Sequence, residues 1–164
     1  MWGRVNITLT KSYWPADESD DLLELTLGEL LGQRAADSPD RVAFVEGGSD
    51  RAARRRWTYG ALRTSAELVA RALLARFAPG ERVAVWSPST AEWVLLQHGA
   101  GLAGLVLVTV NPAYRSAELA HVLLTSQAAG IFCATAYRGT DMGATVRVVR
   151  ARLPALREVI SFAN

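Results

Sequence analysis

Apolar residues first recur at helical spacing after Thr26. Within TLGELL (26–31), the leucines fall on one face of a helix, while Thr26 and Glu29 have the spacing of a capping box. Pro39 is predicted to end this helix, because the residue before a proline disfavours helical backbone. Residues 1–25 lack comparable periodicity and are predicted to form an N-terminal arm, with the folded unit spanning 26–164.

A hairpin and a long helix are predicted next. RVAFVEG (41–47) and RRRWT (54–58) are short β-type runs, and the segment between them supplies Gly and Asp for a turn. Thr58 is predicted to cap a helix that ends near Phe77, before Pro79-Gly80. The inward face of that helix is predicted to comprise Leu62, Leu68, Val69, Ala72 and Leu73.

From residue 82 onward, apolar runs alternate with helical segments. The predicted strands are 82–87, 105–110, 130–136 and 157–162, and the predicted helices are 91–103, 116–127 and 141–152. Strands that are apolar on both faces are typical of parallel sheets covered by helices. The predicted fold class is therefore α/β: a mostly parallel sheet flanked by helices, with an N-terminal helix and an antiparallel hairpin.

Charge gives no argument for a nucleic-acid partner, because the formal net charge of the 164 residues is only +2. An arginine cluster next to Trp57 has two interpretations: a platform that stacks single-stranded nucleic acid, or a solvated hairpin turn. The second is favoured, with Trp57 and Trp93 as core or interface anchors. The cluster comprises Arg51, Arg54, Arg55 and Arg56.

Residues suited to catalysis are few. Lys11 is the only lysine, and Cys133 is the only cysteine and lies in a predicted buried strand. His98 and His121 fall within predicted helices, where we expect packed or surface side chains. No spacing of His, Cys and Asp indicates a metal site, and no glycine-rich loop follows a strand. The residues alone therefore predict no catalytic, cofactor-binding or metal-binding site.

The start of the chain shows no signal peptide, and the apolar stretch 93–110 contains Gln97, His98 and several glycines. A buried helix followed by a buried strand explains that stretch better than a membrane span. We expect a cytoplasmic protein without a transmembrane segment.

The segment LVLVTVNPAYRSAEL (105–119) joins a predicted strand to a predicted helix, which is a common place for ligands in α/β proteins. Asn111, Tyr114 and Arg115 are candidate residues of a substrate cleft here. The alternative is structural: Asn111-Pro112 ends the strand and Ser116 caps the helix.

Several segments, taken in order, resemble the N-terminal part of AMP-forming acyl-CoA synthetases, members of the adenylate-forming superfamily. The segment SYW (12–14) and the unbroken VNPAYR (110–115) look most like the fatty-acyl branch. The resemblance covers nearly the whole chain. The other segments that carry it are TLGELL (26–31), SPDRVAFVEG (38–47), RRWTYGAL (55–62) and residues 80–119.

The resemblance implies a reaction in which a fatty acid and Mg-ATP give an acyl-adenylate, from which CoA takes the acyl group. The family's phosphate loop, adenine-binding and ribose-binding motifs and catalytic lysine have no counterpart in this sequence. ATP, Mg²⁺ and CoA are therefore expected for the full-length family and no cofactor is expected for this chain, which should be inactive alone. In the family, 111–115 would border the cleft on its acyl or pantetheine side.

A rival interpretation is a non-enzymatic interaction module. A sheet with an exposed edge and an uncovered apolar face needs a partner. That partner could be the C-terminal half of a split synthetase, a second copy of the chain, or a lipid.

Overall fold

The computed structural model describes residues 10, 12, 22–47, 50 and 52–162. Within these ranges the helices are α1 (Leu27–Asp37), α2 (Tyr59–Leu74), α3 (Ala91–Leu102), α4 (Ser116–Ser126) and α5 (Met142–Arg150). The strands are β1 (Val42–Val45), β2 (Arg56–Thr58), β3 (Arg82–Trp86), β4 (Val106–Val110), β5 (Gly130–Cys133), β6 (Ala136–Tyr137), β7 (Thr140–Asp141) and β8 (Glu158–Ser161). Most of the predicted arm, 1–25, lies outside the described residues.

The central sheet confirms the predicted fold class. Its strands run in the order β4-β3-β5-β8, and every neighbouring pair is parallel. Helices α2 and α3 pack on one side, called here the α2–α3 face, and α4 and α5 pack on the other, the α4–α5 face. The antiparallel β1–β2 pair forms a separate ribbon, as predicted.

Threonine caps start three helices, and the caps at Thr26 and Thr58 confirm the sequence-based prediction. The Thr26 hydroxyl accepts the Glu29 N–H at 3.2 Å, and Glu29 Oε2 accepts the Thr26 N–H at 2.8 Å, which completes the capping box. The Thr58 hydroxyl accepts the Ala61 N–H, and Thr90 caps α3 in the same way.

The predicted inward face of α2 is partly wrong. Leu68 is 59% exposed and Ala72 is also exposed, whereas Ala66 and Ala70 are buried. The reason is close packing against α3, where a Cβ added at Gly99 would clash with a Val69 methyl carbon. Small residues therefore face α3, and the larger leucine is rotated outward.

The strand predicted to run over 130–136 ends at Cys133, and β6 and β7 follow as a small hairpin. Its two-residue turn is formed by Arg138 (φ 47°) and Gly139 (φ 80°). Two consecutive positive φ values are the geometry of a tight hairpin turn, which suits glycine and strains arginine. The sequence-based prediction missed this hairpin.

Strand β4, predicted to be buried on both faces, is an edge strand. Val106 is 49% exposed and Thr109 is exposed, while Val110 is buried. The centre of the sheet is instead β3, where residues 83–86 are fully buried.

Candidate functional site

The carboxyl edge of the sheet is the first place to look for a site, because ligands of open α/β sheets bind beyond the carboxyl ends of the strands. The loops after β3 and β4 meet there. The indole Nε1–H of Trp86 donates to the backbone carbonyl of Asn111 at 3.0 Å. Since Trp86 is fully buried, this bond fixes the Asn111 loop against the sheet.

The three candidate cleft residues have different surroundings. Asn111 Oδ1 accepts the Ala113 N–H at 2.9 Å, so this side chain organises its own loop. Tyr114 is half-buried and packs against the α4–α5 face, whereas Arg115 is exposed. The structure therefore brings all three to one loop at the carboxyl edge, where Asn111 and Arg115 are exposed and Tyr114 is half-buried.

The predicted cap at Ser116 is wrong, because Arg115 is the N-cap and Ser116 is the first residue of α4. The Arg115 N–H donates to Glu118 Oε2 at 2.9 Å. Glu118 thus supplies the carboxylate half of a capping box.

A groove of about 340 Å³ opens on the α2–α3 face beside β8. It lies between α2, α3 and the ends of β5 and β8. Its apolar wall is formed by Val69, Ala72, Leu73, Leu95, Leu96, Phe132, Ile160 and Phe162. The rings of Phe132 and Phe162 stack with centroids 6.3 Å apart.

The two charged residues that line this groove, Arg76 and Glu92, are both paired. Arg76 Nη1 lies 2.9 Å from Glu158 Oε2, and Glu92 Oε1 lies 2.9 Å from Arg55 Nη2. Their charges are therefore satisfied within the chain, and the open surface between them is apolar.

Arg55 is the centre of a network that the sequence did not reveal. Its Nε donates to Glu46 Oε2 at 2.6 Å and its Nη2 to Glu46 Oε1 at 2.7 Å, so the two groups form a bidentate pair. Glu46 Oε1 also accepts the Ala91 N–H at the start of α3. These bonds tie the β1–β2 ribbon to α3. The hydrogen bonds from Arg55 lower the pKa of Glu46, and those to Glu46 raise the pKa of Arg55.

The same contacts bear on the stacking interpretation of the arginine cluster. The Arg55 guanidinium lies 5.2 Å from the Trp57 ring centroid, and Phe44 stacks on Trp57 at 4.5 Å with an interplanar angle of 7°. Trp57 is therefore engaged within the chain, which agrees with the role of a packed anchor. Arg51 lies outside the described residues.

His98 lines a second groove, of about 450 Å³, between α1, β1 and α3. Its Nδ1 is buried and has no hydrogen-bond partner among the residues that the structure describes, and burial lowers the pKa of the imidazole. Leu30, Phe44 and Arg34 are among the other residues of this groove. His121 instead is exposed on α4.

Cys133 is fully buried in β5, as predicted, and burial raises the pKa of its thiol. A protonated, inaccessible thiol is a poor nucleophile. Across residues 22–47 and 52–162, together with 10, 12 and 50, no group of three or more His, Cys, Asp or Glu side chains could hold a metal ion. No helix in that same part of the chain is long and apolar enough to span a membrane.

Comparison with known proteins gives a consistent result. Residues 31–162 match the family model described as AMP-binding enzyme. The chain is 34% identical over 139 residues to YngI of Bacillus subtilis, and 34% identical over 134 residues to the mitochondrial medium-chain acyl-CoA ligase ACSF2 of Danio rerio. A solved Mycobacterium tuberculosis fatty acyl CoA synthetase superposes with a TM-score of 0.73 at 26% identity.

These matches cover most of this chain and a small part of the other proteins. The match to YngI covers 84% of this chain and 24% of YngI. The match to ACSF2 covers 80% of this chain and 21% of ACSF2. The superposition on the synthetase structure covers 84% of this chain and 26% of that structure. The chain thus spans about a quarter of the length of the curated relatives that it matches.

Proposed function

The chain belongs to the family of AMP-binding enzymes, and we propose that it supplies the N-terminal part of an AMP-forming fatty-acyl-CoA synthetase. The observation that carries this proposal is the family match over residues 31–162, which includes the whole described parallel sheet and the helices that pack on it. The descriptions of two similar proteins, a medium-chain acyl-CoA ligase and a fatty acyl CoA synthetase, support the choice of a fatty acid as the substrate.

The proposed reaction has two steps. The carboxylate of the fatty acid attacks the α-phosphorus of ATP, which forms the acyl-adenylate and releases pyrophosphate. The thiol of CoA then attacks the acyl carbon, and AMP leaves with its bonding electron pair. The proton of the thiol passes to base or solvent as the thioester forms.

We propose that ATP, Mg²⁺ and CoA are held mainly by motifs that this sequence does not contain. A phosphate loop needs glycines and a lysine, and the only lysine is Lys11, far before the first predicted strand. The role of this chain would then be to form one wall of the cleft. Asn111, Tyr114 and Arg115 lie on the loop at the carboxyl edge, where they could border the acyl or pantetheine portion of a substrate.

We expect the isolated chain to catalyse no adenylation. The test is ATP–pyrophosphate exchange with a medium-chain or long-chain fatty acid, using the purified 164-residue chain, with the intact ACSF2 relative as the positive control. Exchange above background would contradict the proposal that this chain needs further polypeptide for activity.

A second candidate is a non-enzymatic interaction module, which the apolar groove beside β8 favours. Such a module would pair with a second copy or with another half of a synthetase. Light scattering over a concentration series distinguishes these two partners. A dimer that forms in the purified chain supports self-association, and a monomer supports a different partner. A cytoplasmic location and the lack of a nucleic-acid partner remain predictions from the sequence.

A further inference from the structure

The turn that follows β4 holds its own shape by two hydrogen bonds. The Tyr114 N–H donates to the backbone carbonyl of Asn111 at 3.0 Å, which closes a β-turn over residues 111–114. The Asn111 side chain adds the second bond, because its Oδ1 accepts the Ala113 N–H at 2.9 Å. These bonds set the form of the turn, but neither of them determines where the turn lies relative to the sheet.

The indole of Trp86 ties this turn to the sheet. Its Nε1–H donates at 3.0 Å to the same Asn111 carbonyl that accepts from Tyr114, so both lone pairs of that oxygen are used. Trp86 ends β3, the strand between β4 and β5, and its own carbonyl accepts the Ala134 N–H. One residue therefore links the segments that follow β4 and β5.

The polar atom of Trp86 is used at the cleft and not in the core. Trp86 is fully buried in the cluster of the α4–α5 face, where an apolar side chain of similar shape would also pack. A buried indole N–H needs a hydrogen-bond acceptor. Its acceptor is a carbonyl of the candidate cleft loop, which an apolar ring could not hold in this way.

The exposed groups of the loop suit a polar, anionic part of a substrate. Asn111 and Arg115 are exposed there, and Arg115 carries a positive charge. An alkyl chain is bound by apolar surface, whereas amides and phosphates are matched by hydrogen-bonding and cationic groups. Of the two substrate portions considered for this loop, CoA therefore fits its chemistry better than the acyl chain.

We propose that Trp86 is a positioning residue for the thioester-forming step, because its indole N–H holds the 111–114 turn where Asn111 and Arg115 can contact CoA. The inference rests on the proposed function. Without this bond the turn keeps its internal hydrogen bonds but moves more freely relative to the sheet, which weakens CoA binding. Adenylation precedes the entry of CoA into the reaction, so that step does not depend on the contact.

The test compares the two half-reactions in a chimera in which this chain replaces the matched segment of the Danio rerio ACSF2 relative. Trp86 is replaced by benzothienylalanine, in which sulfur takes the place of the indole N–H, so the bicyclic shape is kept and the donor is lost. The controls are fluorotryptophan at the same position, which keeps the donor, and Ile131→Val, which trims a fully buried side chain of the same core. The readouts are ATP–pyrophosphate exchange and the KM for CoA in thioester formation.

Loss of the donor should raise the KM for CoA by about tenfold, the effect of one hydrogen bond, and change fatty-acid-dependent exchange by less than about twofold. Both controls should keep the KM for CoA within about twofold of the parent chimera. An unchanged KM for CoA, or an equal loss in both half-reactions, would overturn the inference. So would a rise in the KM for the fatty acid in place of CoA. In each case the active parent chimera would leave the proposed function intact.

The isolated chain tests the contact without an active chimera. Hydrogen exchange at the Tyr114 amide should become about tenfold faster when the donor is lost, because the turn then opens more often. The control is the Leu119 amide, which donates to the Arg115 carbonyl at 2.9 Å and should change by less than about threefold. Unchanged exchange at Tyr114 would overturn the role of Trp86. A folded parent chimera without fatty-acid-dependent exchange would instead count against the proposed function.

Discussion

The two faces of the central sheet differ in how completely the described chain covers them. On the α4–α5 face, Trp86, Ile131 and Met142 are fully buried. On the α2–α3 face, Val83 and Val85 are equally buried under α2 and α3, but the surface over β8 remains an open apolar groove.

The strands themselves do not cause this difference, because successive residues of a strand point to opposite faces. Val159 packs on the α4–α5 face and Ile160 packs on the α2–α3 face, although they are neighbours in β8. The cause is the helices: α5 supplies Val146 and Val149 to the core of the α4–α5 face. The comparison indicates that the described residues complete one face of the sheet and leave part of the other as an open apolar surface.

The largest expected effect comes from a matched pair of leucine truncations. Leu123→Ala removes a side chain that is 2% exposed on the α4–α5 face, and should lower the free energy of unfolding by about 2–5 kcal/mol. Leu95→Ala, at a half-buried residue of the groove, should cost about 1 kcal/mol in the isolated chain. Urea unfolding measures both, and equal costs would show that the two faces are equally complete.

The helix caps give a smaller contrast between the same two faces. Asp141 Oδ1 accepts the Ala144 N–H at 2.7 Å at the start of α5, whereas the Thr90 hydroxyl accepts the Trp93 N–H at 3.4 Å at the start of α3. Asp141→Ala should therefore cost about 1–2 kcal/mol and Thr90→Ala nearer to 0.5 kcal/mol. Thermal unfolding would refute this ranking if Thr90→Ala had the larger effect.

His98 should make stability depend on pH near neutrality. Burial lowers the pKa of His98 in the folded chain below its ordinary value of 6.5, so the unfolded chain binds the proton more readily. The stability due to the neutral imidazole is present above that value and is lost as pH falls below it. His98→Gln should reduce the change in unfolding free energy between pH 7.5 and pH 5.5.

The control is His121→Gln, which removes an imidazole from an exposed position on α4. It should leave that change as large as in the parent chain. An effect of the same size from both substitutions would rule out the buried imidazole as the source.

The smallest effect is expected at the amino ends of the strands, where Arg157 Nη2 lies 2.6 Å from Glu81 Oε2. The hydrogen bond from Arg157 lowers the pKa of Glu81 to about 2 from an ordinary value of 4.5. The contribution of this pair is present above pH 4.5 and is lost as pH falls towards 2. Arg157→Ala should reduce the loss of unfolding free energy that occurs as pH falls from 4.5 towards 2. Arg152→Ala, at another exposed arginine, should leave that loss unchanged.

Much of the fold could be predicted from local sequence signals. Thr26, Thr58 and Thr90 each precede an apolar periodic segment, and each is a cap in the structure. The β6–β7 hairpin was missed because its strands have only two residues each, and its one signal is Gly139 in the turn. The orientation of α2 was partly mispredicted because it depends on close contact with Gly99, which no local pattern reveals.

The candidate site was less predictable, because its parts come from distant positions. Arg55 and Glu92 are 37 residues apart in sequence, and Arg76 and Glu158 are 82 apart. Their pairing depends on the packing of the ribbon and the sheet, so neither pair has a local signature. Asn111, Tyr114 and Arg115 were identified only because an apolar run stops at Asn-Pro, and their role in a substrate cleft stays a prediction.

The most direct test of the central claim is fatty-acid-dependent ATP–pyrophosphate exchange by the chimera of this chain with the rest of ACSF2. If this chain supplies the N-terminal part of a fatty-acyl-CoA synthetase, the chimera should exchange pyrophosphate at a rate within about a hundredfold of intact ACSF2, a loss of about 2.7 kcal/mol or less. A soluble, cooperatively folded chimera with no fatty-acid-dependent exchange would contradict the account.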